Sequence, residues 1–161
     1  MAGVDRPNTL GALLGRWQGP GEGHYPTIEP FRYVERVSIE PVAGKPVLSY
    51  RQRTWRPDTR TPMHSEIGYL RPAGDDRVEL LLVQPTGFAE VHVGRFDGHV
   101  LDLELASLAR TPTAKHVRSV RRRFVVDDDV LAYDLWMAYA DVPQTHHLHA
   151  ELRRTGRRDR R

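Results

Sequence analysis

The sequence predicts an all-β protein, a closed antiparallel barrel of roughly ten strands with a short N-terminal helix. Three observations carry this. Runs of about eight to twelve residues alternate side-chain character at a period of two, as half-buried strands do. Between the runs fall breaks rich in Pro, Gly, Asp and Thr, the chemistry of turns between antiparallel strands. No internal repeat and no sustained helical period interrupts them, so a βαβ architecture with its nucleotide crevice is disfavoured.

Taken in order, "NTLGALLG" reads as a short helix with Asn8 as N-cap. "GRWQGPGEGHY" follows as the first strand. "FRYVERVSIE" sends Phe31, Tyr33, Glu35, Val37 and Ile39 to one face. After "PVAGKP", "TWRPDTRTP", "RPAGDD", "QPTG" and "FDGH" mark successive turns, "HVLDLELASL" sets Leu101, Leu103 and Leu105 opposite Val100, Asp102, Glu104 and Ala106. The breaks "RTPTA", "VDDD" and "DVPQT" separate the remaining strands. Closing the sheet removes its edges, and that many strands leave room for one small ligand, as in lipocalin- and fatty-acid-binding-protein-like barrels. An open sandwich has the same alternation and stays as the alternative.

The length of 161 residues and 39% hydrophobic content suit one domain. Residues 1–154 are expected to form the barrel, and 155–161 a basic, disordered tail. The net charge of +3 is concentrated at that end: residues 153–161 carry six Arg and one Asp, or +5, which leaves residues 1–152 at −2. A solvated terminus is the expected reading, in preference to a specific nucleic-acid surface. The N-terminus shows neither a basic leader nor an apolar run of membrane-spanning length, so a soluble, cytoplasmic protein is expected. The absence of cysteine excludes disulfide scaffolds, thiolate metal sites and cysteine nucleophiles, leaving the eight histidines as the first metal-ligand candidates.

Within "GRWQGPGEGHYPTI", residues Gly15, Trp17, Gly19, Gly21 and Gly23 share one strand face that glycine strips of side chains. Either a bulky neighbour or sharp coiling fills that space, or a flat ligand lies against bare backbone. The stretch resembles the Gly-x-Trp-x-Gly-x-Gly signature of the nitrobindins, small β-barrel haem proteins. "KPVLSYRQRT", "MHSEIGYL", "RTPTAK" and "HHLHAEL" are similar to further segments of that family in the same order, so the resemblance spans residues 9 to 154.

The resemblance implies ten antiparallel strands with one haem b per chain at a barrel mouth, its iron held by a histidine of the last strand. Matched by position, the ligand and catalytic residue is His147. Thr27 and Lys115 contact the haem, and Gly15, Trp17, Gly19 and Gly21 organise the backbone beside the pocket. The implied activity is isomerisation of peroxynitrite to nitrate at ferric iron, with nitric oxide as a further ligand, in a monomer or homodimer. The residue chemistry agrees, since imidazole is the usual proximal ligand without a thiolate, and Lys115 suits a haem propionate.

Strand parity points elsewhere. In a regular strand His146 shares its face with Leu148, Ala150 and Leu152, while His147 joins His149 and Glu151. The family match favours His147, which requires a bulge or twist after "DVPQ". A zinc or nickel site from His146, His147 and His149 is a competing reading that lacks an evident fourth ligand. His24, His64, His92, His99 and His116 read as surface residues or supports behind the pocket wall. Trp55, Trp136, Phe88, Phe124, Met63 and Met137 are potential pocket linings, though β-barrel aromatics are usually core. Two other functions fit a small barrel: a carrier of apolar ligands, and a polyanion-binding module using the arginine tail.

Overall fold

The computed structural model describes residues 10–156, so the Asn8 cap and the tail beyond Gly156 lie outside the described residues. Ten strands follow one another: β1 Gly15–Tyr25, β2 Ile28–Pro41, β3 Leu48–Trp55, β4 Pro62–Pro72, β5 Arg77–Gln84, β6 Phe88–Phe96, β7 Val100–Arg110, β8 Val117–Asp127, β9 Val130–Tyr139 and β10 Val142–Thr155. Each pairs antiparallel with its sequence neighbours, and β10 returns to β1, closing the barrel. The open sandwich is therefore excluded. The expected N-terminal helix is a single 3-10 turn, Leu10–Leu13, in which Leu14 N–H donates to the Gly11 carbonyl at 3.2 Å. With Gly11 inside it and β1 starting at Gly15, the segment is too short to recover the cost of α-helix nucleation.

Antiparallel order sorts the interior into layers. Leu10 and Leu13 of the turn, Trp17, Ile39, Tyr50, Leu70, Leu80, Leu101, Leu103, Leu131 and Leu152 pack into an apolar core. These positions lie at the start of odd-numbered strands and toward the end of even-numbered ones, which places the core at one end of the barrel. Trp17 is fully buried there, donates from Nε1 to the Leu13 carbonyl at 3.0 Å, and carries the Arg154 guanidinium over its ring at 4.0 Å. Arg154 also donates to the Leu14 carbonyl and to Asp129, which anchors the end of β10 at Thr155.

Above this core lies a polar belt of Glu35, Gln52, Glu66, Glu90, His92 and Arg122, all buried. The other ends of the strands surround a cavity. Among the described residues no helix is long and apolar enough to cross a membrane.

Candidate functional site

The cavity has a volume of ≈ 550 Å³, within the range of small-molecule sites. Phe31, Val120, Leu135, Met137 and Leu148 give it apolar walls, and Glu66, Glu90 and Arg122 lie at its polar floor. Thr27 of the β1–β2 turn, Lys115 of the β7–β8 loop and His147 of β10 all line it. The Lys115 ammonium sits 5.7 Å from the Tyr139 ring centroid. The β1–β2 turn is tied to the end of β9, two strands away, through Tyr25, whose hydroxyl donates to the Met137 carbonyl and accepts from Tyr139 N–H, both at 3.1 Å.

The parity conflict is resolved by the backbone. In the β10–β9 register His146 faces Trp136 and Leu148 faces Leu135, so His147 is the extra residue of a bulge. His147 and Leu148 then both reach the cavity. His146 stays outside, with Nε2 2.8 Å from Asp134 Oδ1, and His149 meets the same oxygen from Nδ1 at 2.9 Å. The three histidines of "HHLH" thus do not converge, and among the described residues no group of His, Asp or Glu is arranged to hold a metal ion.

His147 is fixed by its own neighbours. Its Nδ1 lies 2.9 Å from the backbone carbonyl oxygen of His24, which can only accept, so Nδ1 carries the proton and the lone pair falls on Nε2. Its ring meets Tyr25 edge-on at 5.3 Å. Burial is the main cause that holds its pKa below the ordinary imidazole range, opposed by the bond to His24, so the ring is neutral at physiological pH.

Gly15, Trp17, Gly19 and Gly21 do not line the cavity. A Cβ at Gly19 would collide with the Glu151 carbonyl of β10, and at Gly21 and Gly23 with the rings of Tyr33 and Phe31. The stripped face is therefore covered by the adjoining strand and two aromatic rings, Tyr33 and Phe31, both of which continue into the cavity wall. Of the other pocket candidates, Phe88, Met63 and Met137 line the cavity. Phe124 is core, Trp136 lies under Arg121 at 5.0 Å, and Trp55 under Arg36 at 5.7 Å.

The belt is what sequence reasoning missed. The Arg122 guanidinium is 1% exposed and donates to both Glu66 oxygens at 2.8 Å, to Glu90 Oε2 at 3.0 Å and to the Tyr133 hydroxyl at 3.1 Å. Burial is the largest single influence on the Glu66 carboxyl and raises it, but the Arg122 charge together with the hydrogen bonds from His64 and Arg122 outweighs burial and lowers the pKa to about 2. His92, which reads from sequence as a surface or supporting residue, is fully buried against Glu90 at 2.7 Å. The available signal was parity: Arg122 stands between Val120 and Phe124 on the inward face of β8.

Residues 7–154 match the THAP4-like, heme-binding beta-barrel domain. The chain belongs to this family. It is the nitrobindin family that the glycine signature resembles, and the chain is similar to a peroxynitrite isomerase 1 of Rhodococcus jostii, 47% identical over 92% of this chain and 84% of that protein. A peroxynitrite isomerase of Nocardia farcinica is 46% identical, over 90% of this chain and 88% of its own. The crystal structure of Rv2717c from M. tuberculosis superposes with a TM-score of 0.86 at 43% identity, covering 93% of this chain and 98% of that one.

Proposed function

We propose that this chain is a haem-dependent peroxynitrite isomerase, acting in the cytoplasm, that holds one haem b through His147. The observation that carries the reading is the Nδ1–H bond from His147 to the His24 carbonyl at the lip of the cavity. It supplies what a metal needs from imidazole: a neutral ring, a fixed tautomer and a lone pair on Nε2.

The residues present fit a haem. Phe31, Val120, Leu135, Met137 and Leu148 offer apolar surface to a macrocycle. Lys115 and Thr27 at the rim supply a cation and a hydroxyl for the propionates. Bound there, ferric haem supplies the Lewis-acid and redox chemistry that rearranges peroxynitrite to nitrate, an isomerisation that consumes no co-reactant.

The chain's own part is to hold and to select. His147 would hold the iron through Nε2 and keeps its proton on Nδ1, where the His24 carbonyl accepts it. The apolar walls exclude bulk water from the reacting face. The mouth admits small ligands, peroxynitrite as an anion and nitric oxide as a neutral diatomic.

Hemin titration tests the first half: a sharp Soret band that saturates at one equivalent is expected, and its absence removes the reading. Stopped-flow decay of peroxynitrite tests the second. The rate should rise in proportion to ferric protein and nitrate yield should rise with it, whereas decay no faster than with haem-free protein would leave a nitric oxide carrier.

A further inference from the structure

The wall that faces His147 across the cavity is chemically different from the rest. In the closed strand order β4 lies four strands from β10 in one direction and six in the other, so the two are nearly opposite. From β4 come His64 and Glu66; Gln84 of β5 and Glu90 of β6 stand beside them, with Arg122 of β8 beneath. This wall carries two carboxylates and one guanidinium, a poor surface for an anionic substrate unless another cation joins it.

Most of these groups are already committed. Arg122 is divided between Glu66 and Glu90. Gln84 spends its amide N–H groups on the same two carboxylates, at 3.2 and 3.0 Å, and its oxygen accepts from Thr86 at 3.1 Å. His64 is different. Its Nε2 lies 3.4 Å from Glu66 Oε1, and Glu66, held ionised by Arg122, can only accept, so Nε2 carries a proton. The backbone N–H of His64 is anchored to Thr54 Oγ1 at 3.0 Å. Its Nδ1 remains uncommitted, on a half-buried side chain lining the cavity.

We propose that His64 forms an oxoanion subsite on the cavity wall opposite His147: peroxynitrite enters together with one proton from solvent, Nδ1 holds that proton and donates it in a hydrogen bond to the anion, nitrate leaves with the same proton, and Glu66 is the positioning residue. The proposal rests on the haem reading above. With the ligand's proton on Nδ1, the charge of the wall, counted over His64, Glu66, Glu90 and Arg122, is zero and the wall turns from acceptor to donor. Arg122 fixes Glu66, Glu66 fixes the His64 ring, and Nδ1 is left to hold the proton that enters with a ligand that accepts hydrogen bonds.

The test uses hemin-loaded wild-type protein and the His64→Leu, His64→Gln and Glu66→Gln variants, with azide and fluoride as anionic probes and nitric oxide as the neutral one. All should give the Soret band at one equivalent. Azide and fluoride should bind His64→Leu about tenfold more weakly, as expected for loss of a charge-assisted hydrogen bond, while nitric oxide affinity changes less than threefold. His64→Gln, which keeps an N–H donor, should recover part of the loss, and Glu66→Gln should show a smaller loss of the same sign. Unchanged anion affinity in both His64 variants overturns the subsite, as does an equal loss for anions and nitric oxide. A wild-type ferric spectrum of bis-histidine type that disappears in His64→Leu would make His64 an iron ligand and overturn it too. Wild-type protein without a Soret band removes the haem reading itself, an outcome separate from these.

Discussion

The Nδ1 of His147 and the backbone carbonyl oxygen of His24 lie 2.9 Å apart across the β1–β10 seam, where the barrel closes. Both partners sit at register slips: the β10–β9 pairing shifts between His146 and Leu148, and the β1–β2 pairing between Gly23 and Tyr25. One inserted residue therefore decides which of two adjacent histidines reaches the cavity, and closure of the sheet decides which nitrogen it presents.

His147→Ala is expected to abolish stoichiometric ferric haem binding, while His146→Ala and His149→Ala leave the Soret band in place. The latter two side chains sit outside the barrel on Asp134 and share no surface with the cavity. Hemin titrations of the three variants check this, and loss of the band in His146→Ala alone would reassign the ligand.

Much of the fold is legible because alternation and turn chemistry report local geometry directly. The inward set Tyr33, Glu35, Val37 and Ile39 of β2 follows from parity alone and is buried in the structure. The bulge at His147 is not legible from parity, which reads every strand as regular; family likeness points to the residue and the β9 register supplies the reason. The polar belt escapes for a different cause. In "VRRRF" parity turns the central arginine inward, but a lone buried guanidinium is costly, and the partner that offsets that cost, Glu66, is distant in sequence. Likewise the glycine ladder announces a close approach without saying whether a ligand or a neighbouring strand makes it.

Gly19→Ala should be severely destabilising and Gly11→Ala nearly neutral. A Cβ at Gly19 meets β10 backbone that cannot move without breaking the seam, whereas nothing lies within 4 Å of one at Gly11. Overpacking of this kind costs on the order of 1–3 kcal/mol or more. Denaturant midpoints of the two variants should separate accordingly, and because Gly19 is outside the cavity, whatever Gly19→Ala folds should still take up hemin at one equivalent.

Arg122→Met is expected to cost about 3–5 kcal/mol, because it leaves Glu66 and Glu90 as buried charges without their shared partner. Replacing Glu66 and Glu90 by Gln in the same chain should recover part of that loss, since the charges rather than the methylenes are the cause. Thermal melts of the single and triple variants measure the difference. No recovery in the triple variant would place the cost in packing.

Glu35 sets a second electrostatic signature, with the opposite sign to Glu66. Burial first, and the nearby Glu66 charge second, raise its carboxyl from an ordinary value of 4.5 to about 8, and its main support is a 3.4 Å bond from Gln52. The folded protein therefore keeps this proton at pH values where the unfolded chain has released it. Its contribution to stability is complete below pH 4.5, falls as pH rises from there, and is lost once pH passes about 8. Glu66, lowered to about 2, contributes above 4.5 and loses its contribution only as pH falls toward 2, outside that window. His147 and His92 are both lowered by burial from an ordinary value of 6.5, which lies inside the window, so wild-type stability alone would mix their effects. Glu35→Gln isolates the term, because glutamine reproduces the neutral acid in shape and cannot ionise. The stability of wild type relative to Glu35→Gln should decline by a few kcal/mol between pH 4.5 and 8, in the direction of a less stable wild type at the alkaline end. Urea unfolding of both proteins at several pH values across that interval measures it. A difference independent of pH would mean that Glu35 ionises in the folded barrel as readily as in the unfolded chain.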